Sequence, residues 1–237
     1  MNIAMWSGPR NLSTALMYAF AQRADTSVRD EPFYAAYLHA TEADHPMRDA
    51  VLRSQPTSFE KVASACAAPA AEGTAHLYLK LMAHHMVADA PLGFMAACTN
   101  VFLIRHPARV LASYAVKREH PMLEDIGAAR LLELYGAAQR LGQAPIVIDA
   151  ADIRRDPAGK IAALCTALGL APDPTMLHWP MGGNAADGVW APHWYGAVHR
   201  STGFAAAEGP LPEVSAELRE TYAAALLLYE EMAQSKL

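Results

Sequence analysis

The stretch NIAMWSGPRNLSTALMYAF, Asn2 to Phe20, decides the fold. Asn2 to Trp6 is a short apolar run halted by Ser-Gly-Pro, the pattern of a buried strand running into a turn. Leu12, Leu16 and Phe20 then recur at four-residue intervals with Ala15 and Ala19 beside them, as one face of a helix does. Strand, loop and helix in that order place the loop at the carboxyl edge of a sheet, where backbone N–H groups and the helix dipole attract anions. Ser13 and Thr14 can cap the helix or offer hydroxyls to a phosphate, and Arg10 adds a fixed charge with a fork of donors. The plainer alternative keeps Ser13 as a cap and Arg10 as a solvated surface residue.

Further short apolar runs at Thr26–Asp30, His76–Lys80, Asn100–Arg105 and Pro145–Asp149 read as strands. Between them lie helical patterns at Pro107–Lys117, Ala128–Leu141 and Asp156–Leu168. Strands alternating with helices imply right-handed crossovers, hence an α/β, doubly wound, mainly parallel sheet flanked by helices. Val214, Leu218, Tyr222, Leu226 and Tyr229 predict a closing amphipathic helix that serves as a cover. Before it, Pro180 to Phe204 is rich in Gly, Trp and His and has no periodicity, as a functional loop would. No linker or repeat interrupts the chain, so residues 1–237 read as one domain.

Composition narrows the partners. The chain is 53% hydrophobic and 18% charged, enough to bury a sizeable core. Nineteen Lys plus Arg against 24 Asp plus Glu give a formal charge of -5, which argues against a general footprint for nucleic acid or an anionic membrane. An anionic ligand must therefore be held by a local basic cluster. Cys66, Cys98 and Cys165 are scattered, with no CxxC pair, which points to neither a disulfide framework nor a zinc site and suits a reducing cytoplasm. No apolar run approaches the roughly 18 residues of a membrane span, and the amino terminus has no secretory pattern.

A Walker loop for ATP or GTP needs GxxxxGK[ST]. Here Gly8 is followed by PRNLST, so the second Gly is Leu12 and no Lys precedes the hydroxyl pair. In Pro9, Arg10, Ser13 and Thr14 the loop resembles the 5′-phosphosulfate loop of the sulfotransferases, with Asn11-Leu12 departing from the usual Ser-Gly or Thr-Gly. VFLIRHPARVLASY resembles the same family's second motif, a strand, an Arg and a Ser eight residues on, here Arg105 and Ser113. Arg at a strand end and Ser two helical turns away can converge on one anion. The alternative pairs Arg105 with an acidic neighbour and leaves Ser113 idle. Together the motifs resemble divergent bacterial sulfotransferase-like proteins. The resemblance implies a P-loop-like fold and use of 3′-phosphoadenosine 5′-phosphosulfate (PAPS), with Gly8 to Thr14 at the 5′ end, Arg105 and Ser113 at the 3′-phosphate, and no metal.

The remaining candidates follow from that resemblance. Lys80, in YLKLMAHHM, matches the family's Lys of a Lys-Thr-His stretch, whose Lys meets the transferring sulfuryl group; the His position is Met82, with His84 and His85 displaced beyond it. Adjacent residues on an element point different ways, so at most one of the two histidines belongs to a site. Glu31, in RDEPF, resembles a carboxylate that deprotonates the acceptor in some family members and is the first choice of base, with His84 or His85 as alternatives. A turn residue paired with Arg29 is its plainer role. Arg200, Ser201 and Gly203, in VHRSTGF, resemble the late Arg-Lys-Gly segment that closes over the nucleotide; His193, Trp194 and His199 line an acceptor pocket or pack the loop. In-line transfer would have Arg10, Lys80 and the loop N–H groups stabilise charge on the leaving oxygen. A small-molecule acceptor follows, and a homo-oligomer is compatible with the sequence. A small-molecule kinase with a degenerate loop and a non-catalytic nucleotide-binding protein remain as rivals.

Overall fold

The apolar runs pair as a parallel sheet because both of its faces are covered by helices. The computed structural model describes residues 1–70, 72–115 and 121–237. Strands β1 (Asn2–Ser7), β2 (Thr26–Asp30), β3 (His76–Met82), β4 (Cys98–Ile104) and β5 (Ile146–Asp149) form one sheet in the order β2-β3-β1-β4-β5, with every adjacent pair parallel. The helices of the described residues are α1 (Ser13–Phe20), α2 (Tyr34–Thr41), α3 (Arg48–Ser54), α4 (Phe59–Ala67), α5 (Pro107–Ala115), α6 (Leu123–Ile126), α7 (Ala128–Arg140), α8 (Ala150–Arg155), α9 (Pro157–Ala167), α10 (Ala191–Trp194), α11 (Gly196–His199) and α12 (Arg219–Ala233).

Alternation along the strands sorts the core into two layers. Ala4, Trp6, Leu79, Leu81, Phe102 and Val147 face α4, α7 and α12, while Ile3, Met5, Tyr78, Val101 and Ile148 face α1, α8 and α9. The buried Trp6 indole donates to Asn100 Oδ1 at 2.9 Å, so the largest side chain of β1 leaves no unpaired N–H. Local capping sets the later helices. Asp149 accepts from the Ala151 N–H at the start of α8, and Asp156 accepts from the Gly159 N–H ahead of Pro157 in α9.

The chain leaves β1 toward β2 and β3 on one side and later adds β4 and β5 on the other, so direction switches between β1 and β4. Open α/β sheets hold ligands at that crevice, outside the carboxyl ends of the strands. The loop after β1 and Arg105 after β4 flank it.

All five expected strands form, with β3 and β4 extending to Met82 and starting at Cys98. Lys117, the expected end of α5, lies outside the described residues. The closing helix begins at Arg219, so Val214 and Leu218 precede it: a 3-10 turn at Ala216–Leu218 intervenes. Pro180–Phe204 carries the one-turn helices α10 and α11, and Trp190 and Tyr195 are buried. Among the described residues no helix is long and apolar enough to cross a membrane.

Candidate active site

The loop between β1 and α1 is shaped by backbone geometry. Arg10 and Leu12 adopt left-handed conformations at φ 61° and 66°. Gly8 is required for a different reason: a Cβ there would sit 2.4 Å from the Ile126 carbonyl oxygen, so only glycine lets the loop pass beneath α6. The first intrahelical bond runs from the Leu16 N–H to the Leu12 carbonyl, and among the described residues no side chain caps α1. Ser13 and Thr14 begin the helix rather than capping it, so of their two expected roles the cap is not filled, which leaves the first N–H groups for an anion.

Arg10 closes this loop onto the neighbouring strand's helix. Its Nε donates to Ser113 Oγ at 2.9 Å, and its carbonyl accepts from an Arg105 guanidinium N–H at 2.6 Å. Burial, and then the charge of Arg105, pull the Arg10 pKa below its ordinary value. Asn11 is buried and donates to the Leu103 carbonyl at 2.7 Å, pinning the loop to β4. A cavity of about 40 Å³ lies beside the loop, lined by Gly8, Pro9, Asn11, Arg105, Val110 and Tyr229 among others.

Across the crevice three guanidiniums converge on one carboxylate. Arg105 follows β4, Arg109 stands on α5 and Arg154 on α8. All three meet Glu208: Arg105 directly, Arg109 through Nε at 3.1 Å and Arg154 at 2.7 Å. The alternative in which Arg105 has an acidic partner is thus present, but the partner is 103 residues away rather than a neighbour.

On the other side of β1, Lys80 is buried in a charged cluster. Its Nζ lies 2.9 Å from Asp30 Oδ1, 2.6 Å from Glu31 Oε1 and 2.5 Å from the Tyr195 hydroxyl. The Trp190 indole N–H and Gly188 N–H donate into the same group. Burial works against the Lys80 charge, but Asp30 and Glu31 outweigh it and hold its pKa above the ordinary value. Burial pushes the Asp30 carboxyl up, to about 6. Glu31 has a strained φ of 38° and donates its N–H to the Lys80 carbonyl at 3.0 Å. Arg29 is not its partner: that guanidinium donates to the Ala65 carbonyl.

His84 and His85 occupy a 3-10 turn after β3. Contrary to the expected divergence, the tight turn brings both rings into one cluster, 4.4 Å apart, because successive residues there are not on opposite faces as in a strand. His85 stacks on Tyr34 at 4.5 Å, and its Nε2 is 3.9 Å from Glu31 Oε2, beyond hydrogen-bond reach. Burial lowers both pKa values, that of His84 to about 4.

The model of one protein family, described as a sulfotransferase domain, matches residues 1–236. The chain belongs to the sulfotransferase domain family. It is 40% identical over 202 residues to branched-chain-amino-acid aminotransferase-like protein 1 of Arabidopsis thaliana, and 36% identical over 203 residues to that plant's protein 2. Each match takes in 85% of this chain but 36% of the relative, so the chain spans about a third of their length. Among solved structures, the sulfotransferase domain of the Synechococcus PCC 7002 olefin synthase aligns over 98% of this chain and 94% of its own, at 14% identity and TM-score 0.47. A sulfotransferase domain from the curacin biosynthetic pathway aligns over 99% and 91%, at 13% identity and TM-score 0.46.

In this sulfotransferase domain the structure brings together Gly8 to Thr14, Arg105 and Ser113, and separately Glu31, Lys80, His84 and His85. It does not join the late segment to the loop. The Ser201 hydroxyl accepts from the Trp179 indole and donates to Val198, Gly203 bridges to His178, and Arg200 is exposed. His199 meets Asp187 at 3.0 Å, and Tyr18 also donates to Asp187, a clamp between the late loop and α1. Arg109, Arg154, Glu208, Asp30 and Tyr195 are the residues that sequence reasoning missed. Arg109 and Asp30 could have been found, since Arg109 follows Arg105 by four residues in the expected helix and Asp30 adjoins Glu31 at a strand end; the others carry no local signal.

Proposed function

We propose that this sulfotransferase domain moves a sulfuryl group from PAPS to a hydroxyl or amine of a small metabolite or carbohydrate, with residues 1–237 acting as one unit in a reducing cytoplasm. The observation that carries the reading is the pair of cationic positions flanking the β1/β4 crevice. On the β1 side are the uncapped start of α1 and Arg10. On the β4 side are three guanidiniums whose present occupant, the Glu208 carboxylate, stands in for an anion. A triphosphate offers one contiguous run of charge, whereas a donor phosphorylated at both 3′ and 5′ positions needs two separate anion sites.

Gly8 to Thr14 with Arg10 would hold the 5′ end, and Arg105 the 3′-phosphate. Ser113, bonded to Arg10, ties the two positions together. When bound, PAPS supplies an activated sulfuryl group on its 5′-phosphate. Glu31 takes the acceptor's proton on Oε2, because Oε1 is already held by Lys80. The three protons of Lys80 face Asp30, Glu31 and Tyr195, so Lys80 acts by fixing the Glu31 carboxylate in place. His84 and His85, neutral at pH 7, wall the Glu31 side with Tyr34 and Tyr37.

The test is isothermal titration with 3′,5′-adenosine bisphosphate in the absence of metal, beside ATP with magnesium, on the wild type and Arg105→Ala. Metal-free binding of the bisphosphate that Arg105→Ala loses is the expected result. Binding of ATP with magnesium alone would replace this reading with the kinase, and no binding of either would favour a non-catalytic protein.

A further inference from the structure

The occupant of the arginine trio is part of the chain, and the segment that carries it is poorly fastened otherwise. Phe204 packs edge-on against Trp179 at 5.2 Å, and regular structure resumes at the Ala216–Leu218 turn. In between, Ala205 to Ala207 and Gly209 to Leu211 are exposed, and Leu211 is 50% exposed. Among the described residues, the fastenings near the trio are all to its arginines: Glu208 to all three, the Ala206 carbonyl to Arg154 Nε at 2.9 Å, and the Gly209 carbonyl to Arg109. Segments with few buried apolar contacts open at low free energy.

The carboxylate also fits the trio incompletely. Its side chain is 7% exposed, yet Oε2 lies 3.1 Å from Arg109 Nε without hydrogen-bond geometry, and the buried Arg105 Nε has no partner among the described residues. Among the described residues three positive charges face one negative charge, where a phosphate monoester would bring nearly two charges and three terminal oxygens.

Building on the donor reading above, we propose that Glu208 is a built-in competitor for the donor's second phosphate. The strap formed by residues 205–210 occupies the Arg105–Arg109–Arg154 site in the free protein and leaves it when a phosphate monoester enters. Apparent affinity is then reduced by the fraction of molecules with the strap closed, and ligand binding exposes the strap.

Two measurements test this. The first is metal-free titration of wild type and Glu208→Gln with 3′,5′-adenosine bisphosphate and with adenosine 5′-monophosphate, which lacks the second phosphate. Glu208→Gln should bind the bisphosphate about tenfold tighter, as expected where the strap is closed in about nine molecules in ten, and the monophosphate equally. The second uses the wild type alone, so that it does not depend on how the variant folds. A glutamyl endopeptidase must take the Glu208 side chain into its own pocket, so cleavage at Glu208–Gly209, normalised to cleavage at the exposed Glu213, reports release of the strap. That ratio should rise severalfold when the bisphosphate is added. If the wild type binds the bisphosphate but Glu208→Gln binds it no tighter and the cleavage ratio stays constant, the strap is overturned and the donor reading stands. If neither protein binds it, the donor reading fails, and sodium sulfate decides the strap: cleavage rising above that in sodium chloride of equal ionic strength supports competition by an anion, and no rise overturns it.

Discussion

At the scale of single residues, the charged cluster around Lys80 and the histidine pair beside it make opposite demands on the solvent-free interior. Asp30, Glu31 and Lys80 carry two negative charges and one positive, all withdrawn from water. Breaking such a group by removing one member costs more than the group itself contributes, because a charge is left buried and uncompensated. Lys80→Met should therefore lower stability by about 3–5 kcal/mol in urea denaturation at pH 7; a change below about 1 kcal/mol would mean that water reaches Asp30 and Glu31. The histidines respond to pH instead. The unfolded state takes a proton near the ordinary histidine value, whereas folded His84 resists it down to about 4 and burial holds His85 well below its ordinary value too. Stability is thus fully present above pH 6.5 and is lost as pH falls, by about 1.4 kcal/mol per unit for each histidine. Asp30 acts with the opposite sign below about pH 6, since its folded carboxyl takes a proton before the unfolded one does. Lys80, His84 and His45 face His85 and oppose its charge, and Glu31 Oε2 at 3.9 Å is the nearby group that would favour it. Melting temperature should fall from pH 6.5 to pH 5, and His85→Phe, which keeps the stack on Tyr34, should remove most of that fall, because Asp30 offsets the remaining histidine below about pH 6. An unchanged slope in His85→Phe would show that the pH dependence arises elsewhere.

At the scale of elements, the strand, loop and helix at the amino end are defined by backbone geometry at two positions. Leu12 occupies the place of the glycine in the phosphosulfate loop that this stretch resembles, and its φ of 66° is the conformation that glycine adopts freely. The side chain is tolerated because it packs partly against the α1 layer of the core. Substitution separates these effects. Leu12→Gly should be more stable than Leu12→Ala by about 1 kcal/mol in chemical denaturation, the reverse of the usual order near a helix, because alanine keeps the strain and loses the packing. Alanine as the better residue would show that the loop is not left-handed there. This element was legible in sequence because strand, turn signal and helix period lie within nineteen consecutive residues. Arg105 and Ser113 were singled out by the resemblance of their motif, and the strand and helix expected there form as β4 and α5. Helix α2 was not: Tyr34, Ala35, Ala36 and Leu38 are all buried, so its apolar residues form no single stripe to count. Nor was the Asp30–Tyr195 contact, which joins residues 165 apart.

At the scale of the whole molecule, a net charge of -5 coexists with a cationic crevice, and topology reconciles the two. The strand order places the ends of β1 and β4 side by side, so arginines from separate helices meet although they are a minor part of the composition. No count of residues shows this, since Glu208 is reached from Arg105 across 103 residues and from Arg154 across 54. A ligand bridging the two sides would link the loop, α5 and α8, and binding to the folded state alone adds RT ln(1 + [L]/Kd) to stability. At about a hundred times its Kd, 3′,5′-adenosine bisphosphate without metal should add about 2.7 kcal/mol. For a chain of this length that corresponds to a rise in Tm of about 5–10 °C. Adenosine 5′-monophosphate at the same concentration reaches only the β1 side and should give a clearly smaller shift. Arg154→Ala should reduce the bisphosphate shift toward that of the monophosphate while leaving the monophosphate shift intact. Equal shifts for the two nucleotides, or an Arg154→Ala variant that loses both alike, would show that the arginines on the β4 side serve the fold and not the second phosphate.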